Sequence, residues 1–298
     1  MKKILVFGGV SFNMIIDMNE FPDSKPRTLH AKKFHETIGS TGAGKSSALK
    51  KLGLNIKFHG IIGEDKYGEL IKEYFRKENI PFIYDIDPNG TERHLNLMKN
   101  ETGERISIFL YSPPEDISLD EKKIEELIKE SDIVLLNIAP YCKRYIPMIR
   151  KYEKEIWCDL HSFDGKNDYY NEFIDFADVL LFSSERYPDY KDFMNRIIDK
   201  NKKMVICTHG PKGSTVLLPN KEYIELSGLN YKVVDTNGAG DNFMAGLLYG
   251  YLNGLAIEKS LRIATITAGL SVSSEELVAL DLSEEKVKSE YDRWYSTI

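Results

Sequence analysis

Cysteine is scarce. The 298-residue chain has three, Cys142, Cys158 and Cys207, and their scatter excludes a disulfide framework or a metal knuckle. They suit a reducing compartment, and a cytoplasmic location is expected. Long apolar runs are missing too. No stretch approaches the roughly 18 residues that a membrane helix needs, so no membrane association is expected. The opening MKKILVFGG has the outline of a leader, two lysines before an apolar run. The run stops at Gly8-Gly9 with no small-residue cleavage site after it, so a buried first strand is expected instead. Positive charge is not in excess. Lys and Arg number 40 against 46 Asp and Glu, a formal net charge of −6. With no basic stripe, nucleic acid is excluded as a partner. Internal repeats, low-complexity tracts and an obvious linker are all absent.

What is present is ordinary globular material: 42% of residues are hydrophobic, enough for a sizeable core. KILVF at 3–7 reads as a buried strand. NIKFHGII at 55–62 reads as another, followed by a helix. SSALKKL is helical, with Gly53 suited to its C-terminal cap. From residue 121 helices alternate with the apolar strands DIVLLNI, EIWCDL, DVLLF and KMVICT; helices are expected around 143–153 and 189–199. That alternation predicts a mostly parallel sheet covered on both faces. GSTVLLPNKEYIEL at 213–226 reads as a hairpin, and the chain is mostly helical after Asp241. The segment 82–112 differs. FIYDID, TERHLNLM and RISIFLY read as short antiparallel strands, with turns at 87–90 and 100–103. The expected architecture is a three-layer, doubly wound α/β domain over residues 1–298. Parts of 12–38 and 82–112 form a small β lid.

Two glycine loops compete for phosphate chemistry. GSTGAGKS at 39–46 is a formal P-loop match, in which amides cradle phosphate and a lysine reaches it. Its upstream segment, LHAKKFHETI, is a poor buried strand. A glycine turn for close backbone approach is the competing explanation. In that case Lys45 is a first-turn helix residue. DTNGAGD at 235–241 has a helical pattern directly behind it. Asn237, Gly238, Ala239 and Gly240 would present free amides at a helix N-terminus, where amides and dipole favour an anion. Asp241 beside them could accept a proton from an attacking hydroxyl, or simply cap the helix.

VVDTNGAGDNFMAGLLYG resembles the C-terminal signature of the ribokinase-like (PfkB) carbohydrate kinases. GSTGAGKSSALKKLG with FHGIIGEDKYG resembles their N-terminal signature, and the resemblance extends over essentially the whole chain. It implies a ribokinase-like fold and an ATP-dependent kinase that phosphorylates a sugar-like hydroxyl. Asp241 is then the base, and the amides of Gly238, Ala239 and Gly240 form the anion hole. Thr208, Gly210 and Gly213 lie near the nucleotide, with Asn237. Asn13, Gly39, Ser40, Thr41 and Thr91 face the substrate. Mg²⁺ accompanies ATP, held by phosphates and water rather than by a dedicated protein site. Some relatives also use a monovalent cation. The lid is a plausible homodimer surface.

The sequence departs from the family pattern in three places. Asn13 stands where an aspartate usually binds sugar hydroxyls. Gly44 replaces an asparagine. Ser183-Ser184-Glu185-Arg186 replaces Asn-x-x-Glu. A nucleoside kinase of the same family, a non-catalytic binder and a P-loop NTPase are the alternatives. Arg93 and His94 are candidate substrate contacts. His30 and His35 are expected on the lid surface, and Asp159 is either a pocket residue or the start of a turn.

Overall fold

The computed structural model describes residues 2–99 and 104–295; the turn expected at 100–103 lies outside them. The described strands are β1 (Lys3–Phe7), β2 (Ser11–Asp17), β3 (Lys33–Gly39), β4 (Asn55–Gly63), β5 (Phe82–Asp87), β6 (Arg93–Lys99), β7 (Glu104–Tyr111), β8 (Ile133–Leu136), β9 (Glu155–Asp159), β10 (Val179–Ser183), β11 (Met204–Thr208), β12 (Ser214–Leu217) and β13 (Tyr223–Leu226). The helices are α1 (Thr41–Lys51), α2 (Lys66–Lys77), α3 (Glu121–Glu130), α4 (Pro140–Lys143), α5 (Ile146–Lys151), α6 (Asn171–Phe176), α7 (Tyr190–Ile198), α8 (Ala239–Leu252), α9 (Ile257–Val272) and α10 (Glu284–Tyr295).

Nine strands form the main sheet in the order β13-β12-β11-β10-β9-β8-β1-β4-β5. All pairings from β11 through to β5 are parallel, and the β12–β13 hairpin closes one edge antiparallel. A strand buried on both faces must be apolar throughout, and β1 is the clearest case. Ile4 and Val6 pack into the core under α1 and α8. Leu5 and Phe7 pack into the opposite core with residues of α3, α5 and α7. Successive side chains of a strand point to opposite faces, so one run of four apolar residues serves two helical layers. The doubly wound, three-layer expectation holds.

The second sheet, β3-β2-β6-β7, is the lid. Two expectations are corrected here. FIYDID is not a lid strand: as β5 it pairs parallel to β4 at the edge of the main sheet. Nor is the lid wholly antiparallel, because β2 and β6 run parallel. Local alternation cannot distinguish these partners, since pairing is settled by distant strands. The helix expected around 143–153 is broken into α4 and α5. Among the described residues no helix is long and apolar enough to cross a membrane.

Beneath β5, fully buried His59 meets Asp85 at 3.0 Å, and Lys123 also binds that carboxylate. Burial would raise the Asp85 pKa, but the His59 and Lys123 hydrogen bonds outweigh it and bring it to about 2. A carboxylate depressed on folding stabilises the fold above its unfolded value, near 3.8, and loses that contribution as pH falls toward about 2. Asp85→Asn should therefore melt earlier than wild type at neutral pH and lose less between pH 4 and 2. Thermal unfolding across that range measures it; an unchanged slope contradicts the assignment.

Candidate active site

A cavity of about 460 Å³ lies between the lid and the ends of the main-sheet strands, and Asp241 and Gly238 stand on its wall. In open α/β sheets such a crevice, outside the carboxyl ends of the strands, is where ligands bind.

Helix α8 enters this cavity with its N-terminus. Gly238 is its N-cap, in the left-handed conformation at φ 75°. A β-carbon there would also come within 2.6 Å of the Leu277 carbonyl, so glycine is needed twice over. Among the described residues the amides of Gly238, Gly240 and Asp241 meet no protein acceptor. Those of Asn237 and Ala239 do: Asn237 donates to Asp235 Oδ1 at 2.8 Å, and Ala239 to the Thr236 carbonyl at 3.4 Å. Of the amides expected to be free over residues 237–240, those of Gly238 and Gly240 are therefore the two without such an acceptor, and that of Asp241 joins them. Asp241 sits in the first turn rather than before it. Gly238, not Asp241, occupies the N-cap position, and the described partner of the Asp241 carboxylate is Lys45 rather than a backbone amide. Asp241 is 7% exposed and opens on the cavity.

Lys45 is not in the first turn of α1. It lies in the second turn of α1, 2% exposed, and its ammonium binds Asp241 Oδ1 and, at 3.4 Å, Asp159 Oδ2. Burial alone would lower its pKa; the two carboxylates outweigh that and hold it above the usual lysine value. Asp159 is likewise kept below the usual carboxylate range: burial would raise it, but His161 and Lys45 prevail. Asp159 does not line the cavity; it is buried against Lys45, and its Oδ1 accepts the His161 amide at 2.9 Å, the turn expected there. Gly44 marks where α1 touches α8. A β-carbon there would fall 2.9 Å from Asp241 Oδ2 and 3.2 Å from Asp241 Cβ. The missing asparagine therefore makes room for the carboxylate.

The opposite wall of the cavity joins residues from the lid and from strand ends. Asn13 on β2 is buried, and its Oδ1 accepts the His94 amide at 3.2 Å. Gly39, Ser40 and Thr41 line the cavity as expected. Thr41 donates to Asn137 Oδ1 at 2.7 Å. Ser40 holds φ 71°, ψ 157°, a region that costs a non-glycine residue about 1–3 kcal/mol. Thr91 does not line the cavity; it is bound to Asp65 at 2.7 Å and to the Gly63 amide. The neighbouring Glu92 and His94 line it instead, 2.7 Å apart, and the His94 ring packs on Phe109. Arg93 turns away to Glu36 and Tyr67. His35 lines the cavity, whereas His30 is exposed. Lid residue Arg105 reaches Asn237 across the opening.

Sequence reading had no signal for Asn137, Arg105 or His161. His161 holds φ 53° at the end of β9, with a buried and unpartnered Nε2. That strained backbone is visible only in three dimensions. Thr208, Gly210 and Gly213 form a separate turn at the end of β11, away from this cavity. His209 props that turn, bonded to Ser184 and Thr215 at 2.9 Å each.

A family model described as "pfkB family carbohydrate kinase" matches residues 1–149 and 176–283. This chain belongs to the pfkB family of carbohydrate kinases. It is an ATP-dependent phosphotransferase acting on a sugar. Among curated relatives, acarbose 7(IV)-phosphotransferase from an Actinoplanes species is 26% identical over 268 residues, covering 88% of this chain and 89% of that protein. Ribokinase from Lactococcus lactis is 26% identical over 289 residues, covering 91% of each. Among solved structures, a microbiome-derived acarbose kinase superposes with a TM-score of 0.87 at 24% identity, covering 97% of this chain and 98% of that one. Arabidopsis thaliana ribokinase, solved with ribose and ATP, gives a TM-score of 0.79 at 21% identity, covering 97% of this chain and 98% of the other. These relatives favour a sugar over a nucleoside. They also disfavour the P-loop and regulator alternatives, and here the strand before GSTGAGKS is lid strand β3.

The Gly44 contact gives a direct test. Gly44→Ala should displace Asp241 and lower turnover about tenfold or more, while the melting temperature moves by only a few degrees. Steady-state kinetics beside a thermal melt measure this; wild-type turnover contradicts the contact.

Proposed function

We propose that the terminal phosphate of ATP lies against the N-terminus of α8, facing the free amides of Gly238, Gly240 and Asp241, and that Asp241 is the general base. The observation carrying this reading is the pairing, on one helix turn, of unpartnered amides with a buried carboxylate that opens on the cavity. An acceptor hydroxyl in the cavity attacks the γ-phosphorus in line. The new O–P bond forms as the bond to the β-phosphate oxygen breaks. The hydroxyl proton passes to Asp241 and the electron pair leaves with ADP. The amides stabilise charge spread over the transferring group. Thr208, Gly210 and Gly213 flank the nucleotide on the β11 side.

Mg²⁺ accompanies the nucleotide and neutralises phosphate charge. Such an ion is carried mainly by phosphates and water. Exposed Glu185, beside the Ser183 and Ser184 hydroxyls, offers the all-oxygen donor set such an ion prefers. A monovalent cation fits poorly. The Gly238 carbonyl already receives both the amide and Nδ2 of Asn242, and the Asp235 carboxylate receives Asn237.

The acceptor is an uncharged, hydroxyl-rich sugar. Among the described residues four carboxylates line the cavity, those of Glu92, Asp235, Asp241 and Glu275, and no lysine does. Its one guanidinium, Arg105, is held by Asn237. A phosphate or carboxylate on the acceptor would find repulsion there. We read residues 1–298 as a single kinase domain with its lid, active in the cytoplasm, where the buried free thiols of Cys142, Cys158 and Cys207 stay reduced. The lid also serves a homodimer: Ile106, Ile108 and Leu110 form an exposed apolar row on the face of β7 away from the cavity.

An ADP-release screen over neutral sugars, sugar phosphates and sugar acids tests the reading. Turnover should appear with a neutral acceptor, and Asp241→Asn should cut it by about 10²–10⁴ without abolishing ATP binding. Unchanged turnover in that variant contradicts the base assignment. In size-exclusion chromatography with light scattering, Ile108→Lys should shift a dimer to monomer; a monomeric wild type contradicts the lid interface.

A further inference from the structure

The ammonium of Lys45 is buried against the two carboxylates that stand beside the anion site. Resting on the kinase reading above, we propose that Lys45 is a positioning residue for the reaction: its ammonium clamps Oδ1 of Asp241 so that Oδ2 faces the acceptor hydroxyl, and it offsets the charge of Asp159 next to the transferring phosphate.

The geometry carries this in three ways. First, the contact is built rather than incidental. Lys45 is 2% exposed, its partners Asp159 and Asp241 are 3% and 7% exposed, and both reach its Nζ. A long, flexible side chain enclosed to that degree between two carboxylates has one available position. Second, the neighbouring position is shaped for it. Gly44 leaves space for Asp241 against the α1 backbone, where a β-carbon would come within 2.9 Å of Oδ2. The glycine admits the carboxylate and the next residue supplies its counter-charge. Third, the charges demand a cation. Asp159 Oδ2 lies 3.9 Å from where a β-carbon on Gly240 would stand, so it borders the helix turn proposed to take the phosphate. Two uncompensated carboxylates beside an incoming polyphosphate would oppose its binding; Lys45 cancels one of them. Breaking a buried ion pair on one side leaves the other charge stranded.

Within that arrangement the lysine neither takes the proton nor touches the nucleotide. It also gives GSTGAGKS a use unlike that of a P-loop. The loop's lysine serves the phosphate site through a base 196 residues away in sequence.

The test compares Lys45→Met, Lys45→Ala and the double variant Lys45→Met/Asp159→Asn with wild type, using neutral-sugar turnover, with circular dichroism melting as the fold control. The double variant removes one charge of each sign and keeps the protein measurable should the single variants unfold. Lys45→Met should lower kcat about 100-fold and raise KM for ATP, with KM for the sugar within about threefold of wild type. The double variant should regain melting temperature but not kcat. Ethylammonium or propylammonium should restore turnover to Lys45→Ala in a saturable manner, and propanol should not. A kcat for Lys45→Met within about threefold of wild type overturns the inference. So does recovery of kcat in the double variant, or equal rescue by propanol, since each reduces Lys45 to packing or bulk charge balance. Wild type that turns over no acceptor overturns the kinase reading itself, and the inference with it.

Discussion

Two helix N-termini from opposite ends of the chain meet at a single point, and the site is organised around that meeting. Helix α1 brings Gly44 and Lys45; helix α8 brings Gly238 through Asp241. The approach is close enough that any side chain at residue 44 would strike Asp241. The lysine one residue on is enclosed by Asp241 and Asp159. Hydrophobic packing of α1 and α8 under β1 sets the distance, and electrostatics sets the orientation. Around this point the strand ends contribute Asn137 and His161, and the lid contributes Asn13, Glu92 and His94.

Such an arrangement is costly, and the costs fall at the site. A lysine and two aspartates are withdrawn from water, which is tolerated because they neutralise one another. Ser40 and His161 hold positive φ on the cavity wall. Strain of this kind persists where surrounding structure fixes it and tends to gather at functional positions. While Ile38 and Phe12 pack the base of the lid against the core, polar contacts tie it across the cavity, among them Arg105 to Asn237 and Lys33 to Glu275. Those contacts can break and re-form as substrate enters and product leaves, whereas the α1–α8 contact belongs to the core.

Much of the fold was legible because burial leaves a periodic trace. KILVF, DIVLLNI, DVLLF and KMVICT are apolar on both faces, as strands between two helical layers must be. The glycine signatures were legible because backbone geometry restricts residue choice: at Gly238 only glycine meets both the conformation and the neighbouring carbonyl. What was not legible depends on distant pairing. FIYDID resembles an exposed lid strand because it forms the edge of the main sheet. Thr91 and Glu92 are adjacent, yet only Glu92 faces the cavity, and strand phase decides between them. Lys45 read as a P-loop lysine or a first-turn helix residue, because nothing local reveals that Asp241 and Asp159 enclose it.

The central claim is that the helix turn at 238–241 receives the terminal phosphate beside its own base. A crystal structure with a non-hydrolysable ATP analogue and a neutral sugar tests it most directly. The account predicts the γ-phosphate within hydrogen-bond distance of the Gly238 and Gly240 amides, with an acceptor hydroxyl on Asp241. A terminal phosphate cradled by residues 39–46 and bound to Lys45, away from α8, contradicts it.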